Sequence, residues 1–137
     1  MSPLKLRITS DPANLAEVRQ DVEKFCAACG FDEESSGQIV LCVNEALANV
    51  TRHAYRGATD RPVHLDAEFG DGLLQIAIRD WGRGGTPPDR LPPRDPLQPG
   101  GVGLVCLRKL MDRVEFTPQP DGMLLTMERR LGERRHG

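Results

Sequence analysis

Aromatic residues and long apolar runs are scarce in this chain of 137 residues. Phe, Trp and Tyr together make up 4% of it, with one tryptophan and one tyrosine. No segment approaches the roughly eighteen consecutive apolar residues that cross a bilayer. The amino terminus also lacks the charged-then-apolar pattern of a signal peptide. We therefore expect a cytoplasmic protein that has no membrane partner.

Neither sign of charge predominates, and cysteines are few. The formal net charge is −2, which gives no indication of nucleic acid as a direct partner. Of the four cysteines, Cys26 and Cys29 have the spacing of a redox or zinc motif. Because both extend an apolar helical stripe, we interpret them as buried thiols. A chain of this length forms one core without such links, so we expect a single domain over residues 1–137.

Two common phosphate-binding signatures are absent as well. The sequence contains no Gly-x-x-x-x-Gly-Lys-Ser/Thr loop, which excludes a Walker-type site. The segment that begins at Gly101 lacks the third glycine of a dinucleotide fingerprint and follows prolines instead of a strand. A Rossmann fold is therefore disfavoured.

Hydrophobic periodicity and turn residues predict the order of secondary structure. Alternation over Leu4–Thr9 indicates a strand, and Asp11 before Pro12 starts a helix that stops at Gly30. Asp32 or Ser35 caps the next helix, and hairpins follow around Gly70-Asp71-Gly72 and Asp121-Gly122. The order strand, two helices, two strands, loop, helix, two strands favours an α+β, two-layer sandwich. Its sheet is expected to be mixed but mostly antiparallel, with the helices on one face.

A proline-rich stretch interrupts this pattern. Six prolines lie between Gly84 and Gly101, which excludes a regular helix or a central strand there. Long loops inside compact domains are usually functional or disordered. We interpret residues 85–100, approximately, as a lid between two glycine clusters.

Three separated segments make sense together as one nucleotide pocket. In the first, Glu45, Asn49 and His53 are spaced i, i+4 and so share one face of a predicted helix. Glu45 is a candidate general base and Asn49 a candidate ligand for a hard cation such as Mg²⁺. Each has a simpler interpretation when taken alone: a solvated helix face for Glu45 and Asn49, and a structural histidine for His53.

The other two segments are rich in glycine. Asp80 ends an apolar strand and is followed by Gly82 and Gly84, so its charge needs a partner such as the exocyclic amine of adenine. A simple Asp-Gly turn is the alternative. The third segment, Gly101–Leu104, opens a helix whose free backbone N–H groups favour phosphate, although a flexible hinge explains it equally well.

With these segments assembled, the chain resembles the GHKL ATPase superfamily, whose nucleotide site is the Bergerat fold. Within it the chain is most similar to the small anti-sigma factor serine/threonine kinases of the RsbW and SpoIIAB type. The residues that match the three boxes of that family are Glu45, Asn49, His53, Ala54 and Tyr55, then Asp80, Gly82 and Gly84, then Gly101, Val102, Gly103 and Leu104.

This resemblance implies a function. It implies an ATP–Mg²⁺ site in which Asn49 coordinates the metal, Glu45 is the base and Asp80 reads adenine. His53, Gly82 and Gly84 would border the nucleotide, and Gly101 to Leu104 would wrap the phosphates. The acceptor would be a STAS-domain anti-sigma factor antagonist, and partner switching would control a sigma factor or similar client. The resemblance also implies a homodimer.

One departure leaves alternatives open. Many family members have an acidic-basic pair before the glycine box, where this chain has Gln98-Pro99. Arg52, Arg90 or Arg94 would have to supply the missing positive charge near the γ-phosphate. A module that binds ATP and sequesters partners without turnover is the main alternative. A detached histidine kinase catalytic domain is a weaker one, because no helix pair with a phosphoacceptor histidine precedes the domain.

Overall fold

The computed structural model describes residues 1–82 and 103–132. The elements follow the predicted order, with two short irregular helices in addition. They are β1 (Leu4–Thr9), a 3₁₀-helix (Pro12–Asn14), α1 (Leu15–Cys29), α2 (Glu33–Asn49), a π-helical turn (Val50–Ala54), β2 (Pro62–Gly70), β3 (Leu73–Asp80), α3 (Gly103–Leu110), β4 (Arg113–Gln119) and β5 (Gly122–Arg130).

The strands form a five-stranded sheet in the order β1-β2-β3-β5-β4. All four pairings between these described strands are antiparallel. Side chains alternate along β2, β3 and β5, so that one face of the sheet is buried and shares a core with the three α-helices. The predicted α+β sandwich with helices on one face is confirmed.

Local capping explains where the helices begin and end. The Asp11 side chain accepts a hydrogen bond from Ala13 N at 2.9 Å, and Pro12 follows it. Gly30 closes α1 with a left-handed φ of 105°. The Asp32 carboxylate accepts from Ser35 N at 2.7 Å, which makes Asp32 the cap of α2. Of the two predicted caps, Ser35 therefore lies inside the helix.

Three of the four cysteines, including the predicted pair Cys26 and Cys29, belong to the core, and Cys106 is half-buried. Cys26, Cys29 and Cys42 are buried, and all four thiols are free. Burial raises the pKa of Cys26 and of Cys42 to about 12, which disfavours the thiolate that redox or zinc chemistry needs. Within residues 1–82 and 103–132 no group of three or more acidic, histidine or cysteine residues is arranged to hold a metal ion. In the same part of the chain, no helix is long and apolar enough to span a bilayer.

The two hairpin turns differ from each other. Asp71 and Gly72 form the β2–β3 turn with φ of 52° and 74°, as the primed turn of a hairpin requires. At the second hairpin Gln119 pairs with Gly122, so the central residues are Pro120 and Asp121. The predicted Asp121-Gly122 turn is wrong by one residue, because Gly122 already belongs to β5 and lies against the backbone of β3.

Gly122 provides a test of this close approach. It has a φ of 146°, and an added Cβ would lie 2.8 Å from the carbonyl carbon of Asp80. Gly122→Ala should therefore lower the free energy of unfolding by about 2–4 kcal/mol, measured by urea denaturation.

Gly37→Ala is the matched control. Gly37 is exposed on α2 and an added Cβ meets nothing within 4 Å. Alanine is the better helix former, so this variant should gain about 0.5–1 kcal/mol. Equal effects of the two substitutions would contradict the proposed contact.

Candidate functional site

The carboxyl end of α2 changes from α-helical to π-helical winding. Tyr55 N donates to Val50 O at 3.0 Å, a contact five residues apart. Glu45 and Asn49 remain in the α-helix with the predicted i, i+4 spacing, whereas His53 lies in the π-helical turn. Because a π-helix winds more slowly than an α-helix, His53 is rotated relative to the line through Glu45 and Asn49. Such turns are frequent at functional sites.

The polar side chains of this region differ in their partners. The Asn49 side-chain oxygen accepts a hydrogen bond from Arg52 Nη2 at 2.6 Å. Glu45 is half-buried and forms no hydrogen bond or ion pair with the residues that the structure describes. His53 is also half-buried.

Asp80 ends β3 with its side chain directed into the helix-facing side of the sheet. The residue is only 4% exposed, and its carboxylate accepts from Gly82 N at 2.9 Å. Burial raises the pKa of Asp80 above 3.8, while the Gly82 amide and, to smaller extents, Arg79 and the Met123 amide act in the opposite direction. Among the described residues, the charge of the Asp80 carboxylate is therefore incompletely compensated.

The first two predicted segments meet at Gly82. A Cβ at this position would lie 2.6 Å from the Ala54 Cβ and would also overlap the Ala54 carbonyl. The end of β3 thus rests directly against the π-helical turn, which only glycine permits. A cleft of about 420 Å³ opens at this junction, and its lining includes Ala54, Tyr55, Trp81 and Gly82.

Tyr55 holds this junction together, a role that was not predicted from the sequence. Its hydroxyl donates to Pro62 O at 2.6 Å and accepts from Trp81 N at 2.8 Å. The Trp81 ring then packs edge-on against His64, with centroids 4.7 Å apart, and Arg79 lies 4.6 Å above it. The available signal was that Tyr55 and Trp81 are the only residues of their kinds in the chain.

The end of the third predicted segment, Gly103 and Leu104, forms the start of α3. Gly84, Gly101 and Val102 lie outside the described residues, and of Gly103 and Leu104 only the backbone is described, as the start of α3. At its other end α3 is tied to the beginning of α2, because Arg129 donates to Leu110 O and to Gln38 Oε1. The helices are therefore antiparallel, and the amino terminus of α3 points towards the end of α2 that carries Glu45 and Asn49.

Comparison with known families identifies the domain. The profile of the histidine kinase-like ATPase domain matches residues 8–129, almost the whole chain. The chain belongs to this family.

Similar proteins of known name indicate which branch of this family the chain resembles. The chain is 26% identical to the anti-sigma F factor of Halalkalibacterium halodurans, over 85% of this chain and 84% of the relative. It is 23% identical to the serine-protein kinase RsbW of Oceanobacillus iheyensis, over 95% and 87% of the two chains. The resemblance to GHKL ATPases and to anti-sigma kinases is thereby confirmed at the level of the family.

Solved structures agree on the fold. The RsbU and RsbW domains of a Mycobacterium tuberculosis protein match with a TM-score of 0.72 and 21% identity, over 96% of this chain. The chain spans about a third of that longer structure, which covers two domains. The catalytic domain of the histidine kinase ThkA matches with a TM-score of 0.56 and 13% identity, over 95% of this chain and 96% of its own.

The burial of Asp80 in this ATPase domain predicts an unusual pH dependence. Because its pKa is raised in the fold above 3.8, the stability associated with this group is complete below pH 3.8 and is lost as pH rises through the folded pKa. Asp80→Asn does not titrate and keeps an oxygen for Gly82 N. Without ligand, its melting temperature should therefore exceed that of the wild type at pH 7, and the gain should shrink towards pH 4.

Asp71→Asn serves as the control for losing one aspartate, since Asp71 is exposed in the β2–β3 turn. Both variants and the wild type are followed by thermal denaturation from pH 3.5 to pH 8. A gain for Asp80→Asn that is the same at every pH would show that charge burial is not its cause.

Proposed function

We propose that this chain is a serine/threonine protein kinase of the anti-sigma factor type. It binds ATP–Mg²⁺ and phosphorylates a STAS-domain anti-sigma factor antagonist, and partner switching then controls a sigma factor or similar client. The family assignment and the names of the relatives support this proposal. A single domain over residues 1–137, a homodimer and a cytoplasmic location complete it.

The adenine end of the site is assigned to Asp80. Its carboxylate is buried and accepts a hydrogen bond from Gly82 N. An exocyclic amine would supply the further donor that a buried carboxylate requires. Gly82 and Gly84 would border the base, as the resemblance implies, and His53 would contribute from the π-helical turn.

The observation that carries the proposed reaction is the position of Glu45. Its carboxylate has no partner among the described residues and lies one helical turn before Asn49. Phosphoryl transfer depends mainly on positioning and charge neutralisation and needs only a base of modest strength. Glu45 would accept the proton of the acceptor hydroxyl.

Metal and phosphate are assigned to Asn49 and to the start of α3. Mg²⁺ commonly takes one or two protein oxygens and completes its shell with phosphates and water, so a single amide oxygen fits. When bound, ATP–Mg²⁺ supplies the phosphoryl group and neutralises part of its charge. The free N–H groups of Gly101, Val102, Gly103 and Leu104 would face the phosphates.

Asp80→Asn should separate binding from folding. Gly82 N needs an acceptor, so it orients the new amide with its oxygen towards Gly82 and leaves the NH₂ group facing the adenine amine. Two donors then oppose each other, and the affinity for ATP should fall about tenfold or more, measured by calorimetry with Mg²⁺. Unchanged affinity would show that Asp80 does not read the base.

Glu45→Gln should separate catalysis from binding. The variant keeps the shape of the side chain but cannot accept the proton, so we expect a loss of about 10²–10⁴-fold in transfer of labelled phosphate from ATP to the STAS protein encoded nearest to this chain. ATP affinity should stay within about twofold, because the carboxylate has no role in holding the nucleotide. Glu33→Gln, at the exposed beginning of the same helix, is the control.

The same measurement decides the alternative. Gln98-Pro99 lacks the charged pair of many family members, and this favours a module that holds ATP and sequesters partners without turnover. Tight ATP binding with no transfer by the wild type would select this second function. Equal transfer by wild type and Glu45→Gln would instead show that another group is the base.

A further inference from the structure

The side-chain oxygen of Asn49 is engaged by a charged donor within the described structure. Arg52 Nη2 donates to it at 2.6 Å, and a hydrogen bond from an ionised donor is stronger than one between neutral groups. This oxygen is the atom that the proposed function assigns to Mg²⁺. A guanidinium and a metal ion are both positively charged and cannot occupy the same lone-pair region of one amide oxygen.

The environment of Arg52 makes this contact its principal described interaction. Arg52 is half-buried, and no described carboxylate forms an ion pair with it. Its Nε atom is buried and has no hydrogen-bond partner among the described residues. Among the residues that the structure describes, the guanidinium therefore has one strong acceptor, and donors without a described partner remain close to Asn49.

The backbone explains why Arg52 is placed there. Asn49 is the last residue of α2, and Arg52 lies in the π-helical turn that continues it. The turn is fixed on its far side by the hydrogen bond from Tyr55 N to Val50 O and by the contact of Ala54 with Gly82. The position of Arg52 is thus determined by the same junction that forms the candidate site.

From this geometry we propose that Arg52 competes with Mg²⁺ for the Asn49 side-chain oxygen. The inference rests on the proposed function, since it takes Asn49 as the metal ligand. Binding of the metal with its nucleotide must release the guanidinium, so the contact lowers the affinity of the site for the metal. Arg52 is consequently a positioning residue that sets how strongly metal and nucleotide binding are coupled.

The coupling is measured as a ratio. The affinity for a fluorescent ATP analogue is determined by titration in excess EDTA and again at saturating Mg²⁺, and the ratio of the two dissociation constants is the metal enhancement. Arg52→Met removes the competing cation and keeps much of the apolar stem. Its metal enhancement should exceed that of the wild type by about 10- to 150-fold, the range of one hydrogen bond to a charged group.

A double-mutant cycle tests whether the effect passes through Asn49. Asn49→Ala should abolish most of the metal enhancement, and Arg52→Met should then change nothing further in that background. Arg19→Met is the charge control, because Arg19 is an exposed arginine on α1, outside the candidate site. Its metal enhancement should equal that of the wild type.

Several results would overturn the proposal. A reduced metal enhancement in Arg52→Met would show that Arg52 supports the bound metal–nucleotide complex instead of competing with it. An equal increase in the Asn49→Ala background would show a general effect of charge. If the wild type fails to bind the analogue under either condition, the proposed ATP site itself is wrong, whereas normal binding with no effect of Arg52→Met refutes this inference alone.

Discussion

The buried carboxylate of Asp80 is the constraint around which the candidate site is built. Removing a charge from water is costly unless polar groups replace the water, and the raised pKa of Asp80 shows that replacement is incomplete. Two glycines make the partial compensation possible. Gly82 lets the end of β3 lie against Ala54, and Gly122 lets β5 approach the Asp80 backbone. Larger residues at either position would move the amides that face the carboxylate.

A second buried charge, Arg129, lies at the other end of the same face of the sheet. Arg129 is 5% exposed and pairs with Leu74 across the β3–β5 ladder, where Asp80 pairs with Met123. Six residues along a strand correspond to about 20 Å. The Arg129 guanidinium donates to Leu110 O, Ser35 Oγ and Gln38 Oε1, and so joins β5, α2 and α3. Arg129 thereby holds α2 and α3 at one end of the sheet. Asp80 lies at the other end, beside the π-helical turn that continues α2.

Much of the fold followed from the sequence because its signals are local. Asp11, Gly30 and the Asp71-Gly72 turn act through their own backbone and nearest neighbours. Their effects can therefore be predicted without knowledge of tertiary contacts. Gly122 illustrates the limit. Next to Asp121, this glycine predicts a turn. Its position requires glycine for another reason, because the backbone of β3 lies close to it, a contact between positions more than forty residues apart. No local pattern encodes such a contact.

Part of the candidate site was also predictable from local sequence signals, and part of it was not. Glu45, Asn49 and Asp80 were identified from spacing and from the cost of a charge at a strand end. The π-helical turn has no sequence signature. One turn of wider winding can form from the same residue types as an α-helical turn and changes only the directions in which the side chains point. The contact from Arg52 to Asn49 and the bridge that Tyr55 forms between Trp81 and Pro62 depend on that turn. The roles of all these site residues remain predictions, and Gly84, Gly101 and Val102 also lie outside the described residues.

The unsatisfied polar groups of the described chain are concentrated in one segment. Two buried side-chain atoms have no described hydrogen-bond partner, Asn44 Oδ1 and Arg52 Nε, and both belong to the last turns of α2 or to its π-helical continuation. Glu45, without a described partner, lies between them. Buried polar groups are rarely left unpaired except where a ligand or a functional role accounts for them. A ligand that pairs with groups in this segment binds the folded state alone, and its binding free energy is added to the stability of the fold. The end of α2 is therefore the place where the described chain leaves buried polar groups available to a ligand.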